Sequence, residues 1–140
     1  MFKNTVQELA KALQVDVPTP TDNGAYAFSF DDNTLEVNIL PLKNNALILL
    51  SPVSNPLNNS QETEQLFKKL LQINFSRLKD YEEILTWDPD SDQITLTQEI
   101  PFSTLSEKPL LGQLEQFLDN LEFWKSATAQ QSTTAHPLPQ

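Results

Sequence analysis

The residues that most often do chemistry are few in this chain and poorly placed for it. His136, the only histidine, lies beside Pro137 in a stretch with little apolar content, where nothing holds an imidazole in register with a nucleophile. Cysteine is absent, which excludes thiolate nucleophiles, disulfides and Cys-ligated metals and is compatible with a reducing compartment. Gly24 and Gly112 are the only glycines, so neither a Walker loop nor a dinucleotide fingerprint can be written. Paired carboxylates, a residue type suited to general acid-base work, occur at Asp31-Asp32, at Glu82-Glu83 and in the run Asp88, Asp90, Asp92. Each pair also has a plainer reading: a hairpin turn, a solvated approach to a strand, and an acidic turn. The nearest approach to a metal site is Asp88, Asp90, Asp92 and Glu99, which fill the first, third, fifth and twelfth positions of an EF-hand calcium loop. Gln93 stands at the sixth position, where that loop needs glycine, and Ile94-Thr95-Leu96-Thr97 alternates like a strand where a helix should begin. No catalytic residue, metal or cofactor is therefore expected, and the chain reads as a non-enzyme.

Charge narrows the partners. The 140 residues carry 9 Lys+Arg against 19 Asp+Glu, a formal charge of −10, which opposes binding to phosphate backbones and anionic membrane surfaces. No nucleic acid and no membrane is expected as a partner. The run Met1 to Glu8 lacks the apolar stretch of a secretory signal, and the longest purely apolar run, Ala46 to Leu50, is far below the ~20 residues that cross a bilayer. The expected location is cytoplasmic. The length fits one domain with one core.

The elements that must position any binding residue follow from periodicity. Val6, Leu9, Ala10 and Leu13 recur at helical spacing, and Thr5 with Glu8 has capping-box spacing, which predicts an amphipathic helix from Thr5 to Leu13. Tyr26, Phe28 and Phe30 alternate, as do Leu35, Val37 and Ile39, with Asp31-Asp32-Asn33 as the hairpin turn between them. The aromatic row fits either a ligand pocket or core against a helix. Ala46 to Leu50 is apolar throughout, as in a strand covered on both faces. After a polar loop from Asn55 to Ser60, the residues Leu66, Phe67, Leu70, Leu71, Ile73, Phe75 and Leu78 predict a helix whose apolar arc is wider than one sheet contact requires. Lys68, Lys69, Arg77 and Lys79 gather around it, either as a solvated face or as a dock for an acidic partner. Glu83 to Trp87 and Gln93 to Ile100 read as two strands joined by an acidic turn. Ser106 is placed to cap a last helix, with Pro109 in its first turn and Leu110, Leu114, Phe117, Leu121 and Trp124 as its inward stripe. Phe123 falls on that helix's polar face, as an exposed contact or as local packing. A flexible tail is expected over 126–140, leaving a single domain over 1–125.

This order, α-β-β-β-α-β-β-α in an acidic chain, predicts an α+β fold with an antiparallel sheet packed by helices. It resembles the class I type III secretion chaperones of the CesT/SycE type. The resemblance is carried by the amphipathic first helix, the hairpin with Phe28-Ser29-Phe30-Asp31-Asp32 and Leu35-Glu36-Val37, the run Leu70-Leu71-Gln72-Ile73-Asn74-Phe75, the strand-turn-strand from Leu85 to Leu96, and Phe117 to Trp124. It implies a homodimer that binds the extended N-terminal segment of a secreted effector, keeps it secretion-competent and delivers it to the secretion apparatus, with the secretion ATPase or sorting platform as a further partner. By position it implies effector contacts at Val6, Leu9, Leu13, Phe28, Phe30 and Val37, about half of them touching effector and the rest ordinary core. It implies dimer contacts at Phe67, Leu71, Phe75, Leu85 and Trp87. A non-secretory adaptor or regulatory protein on the same fold is the alternative.

Overall fold

The computed structural model describes residues 2–54 and 61–134; the loop from Asn55 to Ser60 and His136 lie outside the described residues. The chain begins with helix α1 (Phe2–Leu13), which buries Val6, Leu9 and Ala10. The helix starts before Thr5, because Phe2 stands one turn ahead of Val6 on the same stripe and its ring meets Tyr26 at 5.7 Å between centroids. Thr5 is thus inside the helix rather than its cap. At the other end Gln14 adopts φ 61°, Val15 N donates to Ala10 O at 3.0 Å and Gln14 N to Lys11 O at 3.1 Å. These two bonds are a Schellman closure, whose left-handed residue is favoured as glycine. Gln14→Gly is expected to raise the stability of the domain by about 1 kcal/mol, read from the midpoint of chemical denaturation.

Strands β1 (Tyr26–Phe30), β2 (Leu35–Leu42), β3 (Ala46–Pro52), β4 (Ile84–Asp88) and β5 (Gln93–Pro101) form one sheet in the order β1-β2-β3-β5-β4, antiparallel at every step. The β1–β2 turn holds Asp31, Asp32 and Asn33 all at positive φ, which the short polar side chains of Asp and Asn tolerate better than other non-glycine residues. The register sets Phe28 opposite Val37, Ile39 opposite Leu49, and Leu47 opposite Ile100, so the large apolar side chains share one face. On the opposite face lie Ser29, Glu36, Asn38, Leu40, Ile48, Leu50, Thr97 and Glu99. Here the structure corrects the expectation for β3. Leu47 and Leu49 are buried but Ile48 and Leu50 only half-buried, because the helices cover a single face of the sheet.

Helices α2 (Gln61–Arg77) and α3 (Leu110–Thr134) complete the layer, with α3 packed against both α1 and α2. Leu114, Phe117, Leu121 and Trp124 of α3 meet Val6 and Leu9 of α1, Leu66 and Leu70 of α2, and the strands in one cluster. Ser106 does not cap α3. A 3₁₀ turn, Phe102–Thr104, follows β5, and the helix begins only after Pro109, which disfavours a helical conformation at Lys108. At its far end α3 runs past Ser126, where the sequence predicts the tail to begin. Ala127 and Thr128 are buried one turn beyond Trp124 and continue its stripe, and Thr128 Oγ1 donates to Trp124 O at 2.9 Å. Among the described residues no helix is long and apolar enough to cross a membrane.

Candidate functional site

The acidic candidates are structural. Asp31 and Asp32 form the hairpin turn. Asp88 folds its own turn, accepting from Asp90 N at 3.0 Å and Ser91 Oγ at 2.9 Å, while Asp92 Oδ1 accepts from Trp87 Nε1 at 2.9 Å. Glu99 lies opposite Ile48 and accepts from Asn44 Nδ2 at 3.2 Å. At ~3.3 Å per strand residue it stands roughly 20 Å along β5 from Gln93, so it cannot close a calcium loop with the turn aspartates. Among the described residues no group of three or more acidic or histidine side chains is placed to hold a metal ion.

Two surfaces have the character of protein-binding sites. The first is built by α1 and the edge strand β1. Of the positions expected to meet an effector, Val6, Leu9, Phe28 and Val37 lie within the core, where they hold α1 to the sheet and have no surface to offer in this conformation. Leu13 and Phe30 are only half-buried. Sequence reasoning passed over Val15 and Val17, which follow α1 directly and are 51% and 44% exposed. Their signal was available: two β-branched apolar residues between a helix end and Pro18, with no strand to receive them. Glu8, Asp16, Asp22, Asp31, Asp32 and Glu36 are exposed in this part of the chain, against only Lys3 and Lys11.

The second surface runs along α2 onto β4. Leu66 and Leu70 face the core, whereas Leu71 is 65% exposed and Phe75 78% exposed. Phe67, Leu71 and Phe75 follow one another at helical spacing, with Leu78 just beyond the helix, and the fold itself leaves Leu71, Phe75 and Leu78 bare. Trp87, 53% exposed, adds apolar area from β4, the far edge strand of the sheet, whereas Ile84, paired with Thr97, points to the opposite face. Phe67 and Leu85 are half-buried against the core cluster. All five positions expected at a dimer contact therefore lie on these two elements, three of them strongly exposed.

Beside this surface is a buried polar network that sequence reasoning missed. Glu83 is not a solvated residue leading into a strand: its side chain is 1% accessible and that of Arg77 16%. Arg77 Nη2 and Nε donate to Glu83 Oε1 at 3.0 and 3.3 Å, Arg77 Nη2 also donates to Asn120 Oδ1 at 3.3 Å, and Asn120 Nδ2 donates to Glu83 Oε2 at 3.1 Å. The guanidinium carbon lies 3.7 Å from the ring centroid of Tyr81 and 4.1 Å from that of Phe123. Phe123 thus owes its place on the polar side of α3 to a cation–π contact, and its ring also meets Trp124 edge-on. Arg77 is accordingly no part of a solvated cationic face, unlike the exposed Lys68 and Lys79.

The arrangement of helices on a five-stranded antiparallel sheet is shared with solved structures. The structure of the ExsC–ExsE complex aligns with a TM-score of 0.70 and 20% identity, covering 88% of this chain and 90% of that one. The HopA1–SchA chaperone–effector complex aligns with a TM-score of 0.70 and 19% identity, over 89% and 93% of the two chains. The Yersinia pestis type III secretion chaperone SycH, solved with a stable fragment of YscM2, aligns with a TM-score of 0.60 and 16% identity, over 89% and 99%. The fold is that of the type III secretion chaperones. No curated protein matches in sequence. The model of the Tir chaperone protein (CesT) family matches residues 4–125, and the chain belongs to that family.

Proposed function

We propose that the chain works as a homodimer in the bacterial cytoplasm, where it binds the N-terminal segment of a secreted effector without catalysis, keeps it secretion-competent and hands it to the secretion ATPase or sorting platform. The observation that supports this reading best is the pair of bare apolar surfaces on a chain of the CesT family. Such a division suits a protein that pairs with its own copy through one surface and grips a partner through another. The α2–β4 stripe, with Phe67, Leu71, Phe75, Leu85 and Trp87, is the dimer side. Leu13 and Phe30, joined by Val15 and Val17 and by the free edge of β1, form the effector side, with Val6, Leu9, Phe28 and Val37 supporting it from beneath. The surrounding acids favour a partner whose apolar anchors are flanked by lysine or arginine.

The experiment is co-expression with the N-terminal regions of secreted proteins encoded beside this chain, followed by purification and light scattering. Two copies of this chain with one partner segment is the expected composition; a clean dimer that retains none of them moves the weight to an adaptor outside secretion. In that complex Val15→Asp/Val17→Asp is expected to weaken capture at least about tenfold by calorimetry while unfolding stays cooperative, because both residues are about half exposed in the free protein and lie outside its core cluster. Capture at wild-type strength would remove the end of α1 from the effector side.

A further inference from the structure

The Arg77–Glu83–Asn120 network lies outside both surfaces, and folding stability is a weak reason for its presence. Removing two charges from water costs nearly as much as their attraction returns, and apolar residues of similar size in such a place are commonly as stable or more so. What an apolar trio cannot reproduce is a single geometry: each oxygen of Glu83 and of Asn120 has its own donor, and the planar guanidinium is flanked by the rings of Tyr81 and Phe123.

The place where that geometry is fixed adjoins the α2–β4 stripe. Arg77 ends α2, two residues after Phe75; Glu83 immediately precedes Ile84 at the start of β4; Asn120 is a fixed point on α3. The last apolar residue that α2 buries is Leu70. Beyond it Leu71, Phe75 and Ser76 are exposed and Asn74 is half-buried, so among the described residues the half-buried Ile73 is the one apolar side chain after Leu70 that packs the final turns of α2 against the core. Residues 78–82, which connect α2 to β4, are all exposed. Their backbone bonds, such as Asp80 N and Tyr81 N to Arg77 O, return to α2 and not to β4. Glu82 Oε2 accepts from Gln98 Nε2 of β5 at 3.3 Å, and the network is the polar tie that joins α2 itself to the residue entering β4.

We infer that Arg77, Glu83 and Asn120 are positioning residues for self-association, holding the α2 half of the apolar surface (Leu71, Phe75) and its β4 half (Leu85, Trp87, which share one face of the strand) in the one arrangement that a second copy of this chain fits. The inference rests on the dimer reading above and deepens it. A two-fold interface presents the same patch twice, so an error in the angle between α2 and β4 is met on both sides of the contact.

The test replaces the network by apolar residues of similar volume, Arg77→Met/Glu83→Leu/Asn120→Leu, and measures two quantities. Sedimentation equilibrium gives the dimer dissociation constant, expected to weaken about tenfold or more. Thermal unfolding in a Phe75→Asp background, where pairing no longer contributes, is expected to give a midpoint equal to or above that of Phe75→Asp alone. A dissociation constant within about twofold of the native one would overturn the inference and leave the dimer reading standing. A native chain that is monomeric at micromolar concentration would overturn both. Should the triple variant not fold, Arg77→Lys gives the decision, because it keeps the charge and loses the planar fork. Weakened pairing with a native circular dichroism spectrum is its expected result, and native pairing overturns the inference.

Discussion

Phe28→Asp is expected to leave the domain without a cooperative unfolding transition, rather than to yield a folded protein that has lost its grip on a partner. Phe28 is 4% exposed, faces Val37 across the β1–β2 ladder and belongs to the same cluster as Leu9 of α1. Truncating a buried phenylalanine alone costs about 3–5 kcal/mol, and an ionised carboxylate without a partner in that position adds a larger desolvation penalty. Set against the roughly 5–15 kcal/mol that holds a domain of this size together, the sum exceeds what the fold can lose. Leu9→Asp is expected to behave in the same way. Circular dichroism during heating reads the outcome directly. A native spectrum with a normal melting transition, accompanied by lost capture, would instead mean that β1 turns these side chains outward, and that the effector side includes them after all.

That expectation marks where sequence reasoning reached its limit. Alternation along β1 and β2 correctly puts Tyr26, Phe28 and Phe30 on one face with Leu35, Val37 and Ile39, and the pairing register agrees. Periodicity gives membership of a face; it does not tell whether the body of the same protein or a partner covers that face. The same ambiguity made β3 look buried on both sides, when only one side of the sheet has helices over it. For α2 the reading went further, since an arc holding Leu66, Phe67, Leu70, Leu71 and Phe75 is too wide for one contact, and the structure divides it into a buried row and a bare one. The helical register past Ser126 was obscured by composition, although Ala127 stands one turn after Trp124 and Ala is the strongest helix former. The pairing of Glu83 with Arg77 and Asn120 had no local signal, because it closes across an exposed connection and onto a distant helix.

Phe75→Asp is expected to convert the dimer into a folded monomer, the second large effect and the counterpart of the first. In the free chain Phe75 is 78% exposed, so the new carboxylate stays in water and the fold loses almost nothing; Leu71→Asp, at a position 65% exposed, is its companion. Pairing through a two-fold axis changes the arithmetic, because each substitution enters the interface twice and both carboxylates leave water next to apolar side chains. At even about 2–3 kcal/mol for each buried charge, the pair weakens association by roughly a thousandfold or more, which places a micromolar dimer beyond the reach of ordinary working concentrations. Light scattering on the eluting peak is the measurement, with the expected mass falling to that of one chain while the melting transition remains cooperative. The midpoint itself is expected to fall modestly and to lose its dependence on protein concentration, since association no longer draws the equilibrium toward the folded state. A variant that keeps the dimer mass would move self-association away from α2 and leave the stripe of Phe67, Leu71, Phe75 and Leu78 for the partner. The same chain cannot give both results, because the carboxylate at position 75 is either solvated in the dimer or it is not.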